Sequence, residues 1–416
     1  MQVYIEQNPL FYPEIKYTWD LFCKNKGIQY TETTEASADI RIGSSKDFNF
    51  TVSKGFYELL KAQVFEHTVH FTNECLIYAD DKPDYLSTAF YMVNSLQEYG
   101  GREKDEIGRF PYEKSYQYRF QNITENLVQQ YFDAMAHQLG INERHTKSKV
   151  FLTHDVDSLY GLVREEISFM VKQVKPYLLL PYLAEKLFLK PHLRNVNKML
   201  ASEEKRGLKS TFFWLVNKGR ISKRELNSDY DFHSREIQDI IKTVEGKGFK
   251  NAFHKSISKE SFQDEMQKLG FDALSGRYHY LKFALPRGYD EIEHSGLKLD
   301  CSLGFAAHYG FRNSYGLPFK PYNLKERKAY TFLEVPLHIM DGTFQQYMHI
   351  GGEQTLAHIT AFLNKNRNNC VITMLWHPTF YSCYKYGEYR KAYNSILEYI
   401  AENGFEAIDE STLLAG

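Results

Sequence analysis

Two carboxylates stand one residue apart in the segment Thr153-His154-Asp155-Val156-Asp157, beside an imidazole and directly after the apolar run 150–153. An extended backbone points Asp155 and Asp157 to the same side, so that one carboxylate can hold a metal ion while the other holds a proton. Such a pair also serves as a plain turn or helix cap, and alone it says little. Its weight comes from company. His254 follows the apolar run 250–253, Arg277 follows Ser275-Gly276, Asp300 follows Lys298-Leu299, and His377 follows Met374-Leu375-Trp376. Five strand ends would then deliver acid, base and ligand side chains to one face of a parallel sheet, the face that carries active sites in α/β barrels.

The elements needed to position them can be read from periodicity. Strand-like runs at 150–153, 211–216, 250–253, 298–300, 332–336, 371–376 and 405–408 alternate with helical patterns at 233–245, 258–269, 353–364 and 388–402, and Ser258 stands where a helix N-cap belongs. This alternation predicts parallel strands joined by helical crossovers, in a barrel or an open doubly wound sheet. Residues 159–207 interrupt it, because about fifty residues are far more than a crossover needs. Their apolar positions (Phe169, Met170, Leu178, Leu183, Leu187) interleave with basic ones (Arg164, Lys172, Lys175, Lys186, Lys190). The segment reads as a helical insertion that packs on the barrel or on a second subunit, or else makes peripheral contact with an anionic membrane surface. Residues 1–147 alternate short strands and helices and read as a smaller α/β domain. The polar stretch 142–148 marks its end, so the second domain is expected to run from 148 to 416.

Composition narrows the function classes. Lys and Arg number 51 against 52 Asp and Glu, a formal charge of −1, so there is no basic excess with which to coat nucleic acid. The five cysteines are scattered without a C-x-x-C pair, which fits free thiols in a reducing compartment. The start Met1-Gln2-Val3-Tyr4-Ile5-Glu6 has neither the basic nor the apolar region of a secretory signal, and no apolar run is long enough for a transmembrane helix. A cytoplasmic protein is expected.

From residue 149 to about 410 the motifs resemble, in order and content, those of the NodB-homology polysaccharide deacetylases, carbohydrate esterase family 4. Thr153-His154-Asp155-Val156-Asp157 is similar to the F-D-V-D variant of the family's opening strand, and Thr211-Phe212-Phe213-Trp214 to its T-F-F strand. Arg277-Tyr278-His279-Tyr280 stands at its R-x-P motif, Asp300-Cys301-Ser302-Leu303-Gly304 at D-x-S, and Leu375-Trp376-His377 at L-x-H. Glu106-Ile107-Gly108-Arg109-Phe110-Pro111 resembles an uncharacterised domain that accompanies one bacterial branch. The resemblance implies a distorted (β/α) barrel after the smaller α/β domain, and a metal-dependent hydrolase that removes acetyl groups from a sugar, glycan or glycolipid precursor in surface-polysaccharide biosynthesis. It further implies Asp155 as general base, Asp157 and His254 as ligands of a divalent metal (zinc, or cobalt or nickel), Arg277 as the partner orienting Asp155, and His377 as general acid steadied by Asp300.

One departure matters. The family's H-S/T-x-x-H motif supplies two histidine ligands, whereas His254-Lys255-Ser256-Ile257-Ser258 puts a serine at the second place, and serine is a poor zinc ligand. A third ligand would have to come from His154, His233, His279 or water. Failing that, the barrel would bind glycan without catalysis. A nucleotide-sugar transferase also uses D-x-D, but it would leave Arg277, Asp300 and His377 without roles.

Overall fold

The computed structural model describes residues 1–101, 103–142, 145–160, 167, 171, 177, 179–188, 191–222 and 225–415. They form two compact units. The first joins Met1–Thr146 with two later segments, Lys282–Glu293 and Phe311–Glu334, and the second contains Lys147–Leu281, His294–Gly310 and Val335–Gly416.

In the first unit, strands β1 (Gln2–Ile5), β2 (Thr31–Glu32), β3 (Ile40–Gly43) and β4 (Phe50–Thr51) form a parallel sheet in the order β2-β1-β3-β4. Helix α1 (Tyr12–Lys26) buries Ile15, Trp19 and Phe22 along one stripe and stops at Gly27, whose φ of 67° only glycine adopts cheaply. Helix α2 (Tyr85–Val93) is apolar almost all round and correspondingly buried, with Asp84 capping it through the Ser87 N–H. The later segments are bonded into this unit. Phe311 N donates to Ile123 O at 2.7 Å, Val128 N to Ser314 O at 3.0 Å, and Arg312 makes a bidentate, fully buried pair with Glu98. The sequence boundary at 147 marks where the first unit's leading segment ends, but the unit also recruits chain from inside the expected second domain.

The second unit is built on β5 (Lys149–Val156), β6 (Ser210–Leu215), β7 (Lys250–Lys255), β8 (Ser275–Tyr278), β9 (Leu299–Asp300), β10 (Leu337–Met340), β11 (Val371–Leu375) and β12 (Glu406–Ala407). All pair in parallel in the order β9-β8-β7-β6-β5-β11-β10, with β12 also on β5. β5 and β6 are buried almost throughout, as strands covered on both faces must be, which is why they read as unbroken apolar runs. Helices cover the outside. Ile237, Ile240, Ile241 and Val244 line the inner face of α3 (Arg235–Gly246), and Tyr389, Tyr393, Ile396 and Ile400 that of α4 (Gly387–Glu402). The sheet curls into a distorted barrel: the chain entering β10 returns to the opposite edge, where Val335 N donates to Asp300 O at 2.8 Å and Leu337 N to Leu303 O at 2.9 Å. Gly304 permits this approach, since a Cβ there would lie 2.6 Å from the Leu337 carbonyl oxygen.

Three expectations need correction. The helix expected from Ser258 begins at Phe262, because Ser261 forms a capping box with Asp264. The run 332–336 yields only a two-residue strand, and the barrel strand is β10, five residues later. Arg277, read as a strand-end residue near Ser275-Gly276, is the third residue of the four-residue β8. Of the insertion, Arg164, Phe169, Met170, Lys172, Lys175, Leu178 and Lys190 lie outside the described residues. Its helix Pro191–Glu204 packs on the second unit through buried Val196, Met199 and Leu200, and Asn195 donates to the Pro378 carbonyl at 3.0 Å. No described helix is long and apolar enough to cross a membrane.

Candidate active site

β5 carries Asp155 within the strand and Asp157 just beyond its end, β7 carries His254, β8 carries Arg277, and the residue after β8 is His279. Parallel pairing in register sets His254 opposite Arg277. Arg277 is fully buried and spends its guanidinium on Asp155 Oδ1 (2.6 Å), Thr153 Oγ1 (3.1 Å) and the Cys301 carbonyl (2.8 Å), with Phe213 stacked 4.4 Å from its centre. Asp155 is thus oriented through one oxygen. Its Oδ2 lies 3.5 Å from His254 Nε2.

His254 Nδ1 lies 2.9 Å from the Arg277 carbonyl, and His279 Nε2 lies 2.8 Å from the Leu226 carbonyl. A carbonyl only accepts, so each ring spends an N–H there, and in the neutral rings His254 Nε2 and His279 Nδ1 present lone pairs to each other at 3.2 Å. Asp157 Oδ1 completes the triangle at 3.2 Å from His254 Nε2 and 3.5 Å from His279 Nδ1, buried and without a hydrogen bond among the described residues. Three facing acceptors repel unless positive charge lies among them. A tetrahedral ion with bonds of about 2.0–2.1 Å separates its ligand atoms by roughly 3.3–3.4 Å, close to the edges of this triangle. Asp157, His254 and His279 could therefore hold a metal ion. Electrostatics agree with a demand for cations. Burial works against the Asp157 charge, but the imidazoles of His279, His254 and His377 outweigh it and hold the carboxyl well below its ordinary range. Burial likewise opposes charge on His254, yet Asp155 and Asp157 pull its value up, whereas burial prevails at His279 and pushes it down.

Tyr280 and Leu281 follow at positive φ of 58° and 53°, a costly left-handed turn for side-chain-bearing residues. The turn lays the Tyr280 ring 4.0 Å from that of His279, and the Tyr280 hydroxyl accepts from Leu226 N at 3.2 Å.

His377 sits after β11 and directs Nε2 toward Asp157 Oδ2 at 3.4 Å. Its Nδ1 lies 2.7 Å from Asp341 Oδ1, while its backbone N–H donates to Asp341 Oδ2 at 2.6 Å. Burial disfavours the imidazolium here, but the Asp341 and Asp157 carboxylates more than compensate, and His377 lies well above its ordinary value. The expected partner was Asp300. That carboxylate instead accepts from Ser302 Oγ at 2.7 Å, and Ser302 Oγ takes the Tyr278 N–H at 3.0 Å, so the D-x-S segment braces the end of β8. The group opens on one side: Asp157 and His377 side chains are 26% and 17% exposed, against 5%, 1% and 3% for Asp155, His254 and His279.

The other candidate ligands are engaged elsewhere. His154 is buried between the Trp376 carbonyl (2.6 Å) and Glu203 (2.9 Å), and His233 is exposed beside Phe232. Ser258 closes onto Glu265, which also receives Lys255 and Ser256. Ser258 is thus part of an ion-pair cluster with Lys255 and Glu265, and the third corner of the triangle is His279, on the next strand end.

Comparison with known proteins gives three results. A model described as a family of unknown function (DUF7033) matches residues 1–143. No curated protein matches the chain by sequence. Among solved structures, the chain is similar to a candidate polysaccharide deacetylase from Mycobacterium smegmatis (13% identity, 66% of this chain and 91% of that one, TM-score 0.42). It is also similar to the Bc1960 peptidoglycan N-acetylglucosamine deacetylase (11%, 65% and 89%, TM-score 0.35) and to a mutant of the peptidoglycan deacetylase PdaC from Bacillus subtilis (10%, 65% and 91%, TM-score 0.32).

Proposed function

We propose that the second unit is a metal-dependent carbohydrate deacetylase of the NodB-homology type, acting on N-acetyl groups of a sugar, glycan or glycolipid precursor in surface-polysaccharide biosynthesis. The observation that carries this reading is the triangle of Asp157 Oδ1, His254 Nε2 and His279 Nδ1, with edges of 3.2, 3.2 and 3.5 Å, flanked by one carboxylate and one imidazole. A divalent ion held there supplies Lewis-acid polarisation of an acyl carbonyl and acidifies a water molecule.

The chain's own groups divide the proton work. Arg277 holds Oδ1 of Asp155 at 2.6 Å, leaving Oδ2 on the side of His254 to accept a proton from attacking water. His377, kept protonated by Asp341 and Asp157, donates from Nε2 to the departing amine. His279 bears on the rival reading of a glycan-binding barrel without catalysis, which rested on the serine at 258. A ligand drawn from the next strand end supports a complete set without that histidine.

The test is metal stoichiometry and affinity on the intact protein. Wild type is expected to bind about one equivalent of zinc, cobalt or nickel. His279→Ala and Asp157→Asn are expected to weaken binding at least a hundredfold, while Ser258→Ala leaves it unchanged. A wild type that stays empty at saturating metal, or a His279→Ala variant that binds normally, would sink the assignment. Release of acetate from N-acetylated sugars by the loaded protein then tests the reaction itself.

A further inference from the structure

The first unit has a cavity of about 830 Å³ built wholly from its own three segments. The volume falls within the range of small-molecule sites. Four aromatic rings stand in its lining: Tyr57, Phe65 and Tyr330 are buried, and Tyr99 joins them with a hydroxyl that is buried and has no hydrogen-bond partner among the described residues.

The polar lining falls into two classes. The acceptors are engaged. Glu14 is held by both Nε and Nη2 of Arg327 at 2.8 and 2.6 Å, and also receives the Tyr322 hydroxyl at 3.2 Å. Asp290 accepts from the Tyr330 hydroxyl at 2.7 Å. Arg327 and the Tyr330 hydroxyl are spent on these carboxylates, but three other donors are not engaged. Lys61, at the end of helix Lys54–Lys61, and Lys325, in the turn before Arg327, are exposed and form no ion pair among the described residues. Burial keeps the Tyr99 phenol protonated, its value far above the ordinary one, so it too is a donor. The cavity therefore offers aromatic faces, two uncommitted ammonium groups and an unspent hydroxyl.

We propose that this cavity binds an anionic sugar, a pyranose ring bearing a phosphate or a carboxylate. The apolar face of the ring lies on the tyrosine and phenylalanine walls, as amphipathic rings do. The anion is met by Lys61 and Lys325, and Tyr99 donates to a ring or hydroxyl oxygen. Neither a bare anion nor a neutral sugar satisfies both halves of the lining. This site shares no residue with the metal triangle, and its fate is independent of the deacetylase reading.

The experiment is calorimetric titration of the full chain with glucose 1-phosphate, glucuronate, N-acetylglucosamine and inorganic phosphate. At least one of the two anionic sugars is expected to bind tenfold or more tightly than either the neutral sugar or phosphate alone, and to weaken as salt is raised. Whichever anionic sugar binds tighter identifies the anion. The double variant Lys61→Glu, Lys325→Glu alters only exposed positions, and is expected to lose at least tenfold in affinity with its melting temperature and metal content unchanged. Tyr99→Phe is expected to weaken the sugar arm alone. The proposal is overturned if neither anionic sugar binds at millimolar concentration, if phosphate alone binds as well as its sugar ester, or if the charge-reversed variant binds as wild type does.

Discussion

Asp341 is the residue on which the proton chemistry turns, because it grips His377 twice, at the ring through Oδ1 and at the backbone through Oδ2. It fixes which ring nitrogen faces the open side and stabilises the charge that an acid must carry. Asp341→Asn keeps the size but removes the charge, and the expected result is a kcat lower by about 10²–10⁴-fold with KM and metal content little changed. Because both residues act as one unit, adding His377→Ala should cost little more, and a double-mutant cycle on acetate release checks this. Additive losses would show that Asp341 acts elsewhere. The sequence exposes Asp155, Asp157, His254, Arg277 and His377 because each lies on or just beyond a strand recognisable as an apolar run or a family motif. Asp341 was hidden because the run 332–336 drew the strand five residues early and left it looking like a loop residue. Leu337-His338-Ile339-Met340 before Asp341-Gly342 was the available signal.

One irregular segment, Leu226 to Tyr230, braces all three members of the triangle. The Leu226 carbonyl takes His279 Nε2. The Asn227 side chain holds Ile257 through both its N–H and its carbonyl, at 2.9 and 3.2 Å, downstream of His254. Asp229 accepts from Ser158 Oγ, Leu159 N and Tyr160 N at 2.6, 2.8 and 3.0 Å, and the Tyr230 hydroxyl donates to the Val156 carbonyl at 2.7 Å, so Asp157 is fixed from both sides. Outer partners of this kind typically govern ten- to a hundredfold of metal affinity. Asp229→Ala, which touches no atom of the triangle, is expected to weaken zinc binding by about that factor in a competition titration, with the fold retained by circular dichroism. Unchanged affinity would reduce the segment to ordinary loop packing. No sequence pattern announced it, since its bridges to residues 218 and 220 are isolated and its side-chain bonds are tertiary, which leaves neither helical nor strand periodicity. The covered strands of the barrel, by contrast, were legible because burial on both faces demands unbroken apolar runs.

At the scale of the whole chain, the sequence boundary and the folding unit differ. The polar stretch near 147 is where the chain leaves the first unit for the first time, and it comes back twice, at Lys282–Glu293 and Phe311–Glu334. Nothing local marks a return, because a segment that completes another unit's core looks like any other apolar segment. The energetic consequence is large. A fragment of residues 1–147 would leave the buried Glu98 carboxylate without Arg312, at a cost of about 3–5 kcal/mol. It would also uncover the surfaces that hold buried Phe311, Tyr315, whose ring meets Phe132, and Tyr322, whose ring meets Tyr17 and Phe90. Each such side chain contributes roughly 1.5–3 kcal/mol on burial. Together these losses are comparable to the roughly 5–15 kcal/mol that separates a folded domain from its unfolded chain. The isolated 1–147 fragment is therefore expected to show no cooperative thermal transition and to bind hydrophobic dyes, while the full chain melts sharply. If the fragment unfolds cooperatively near the temperature of the full chain, the two returning segments are decoration, and residues 1–147 fold alone.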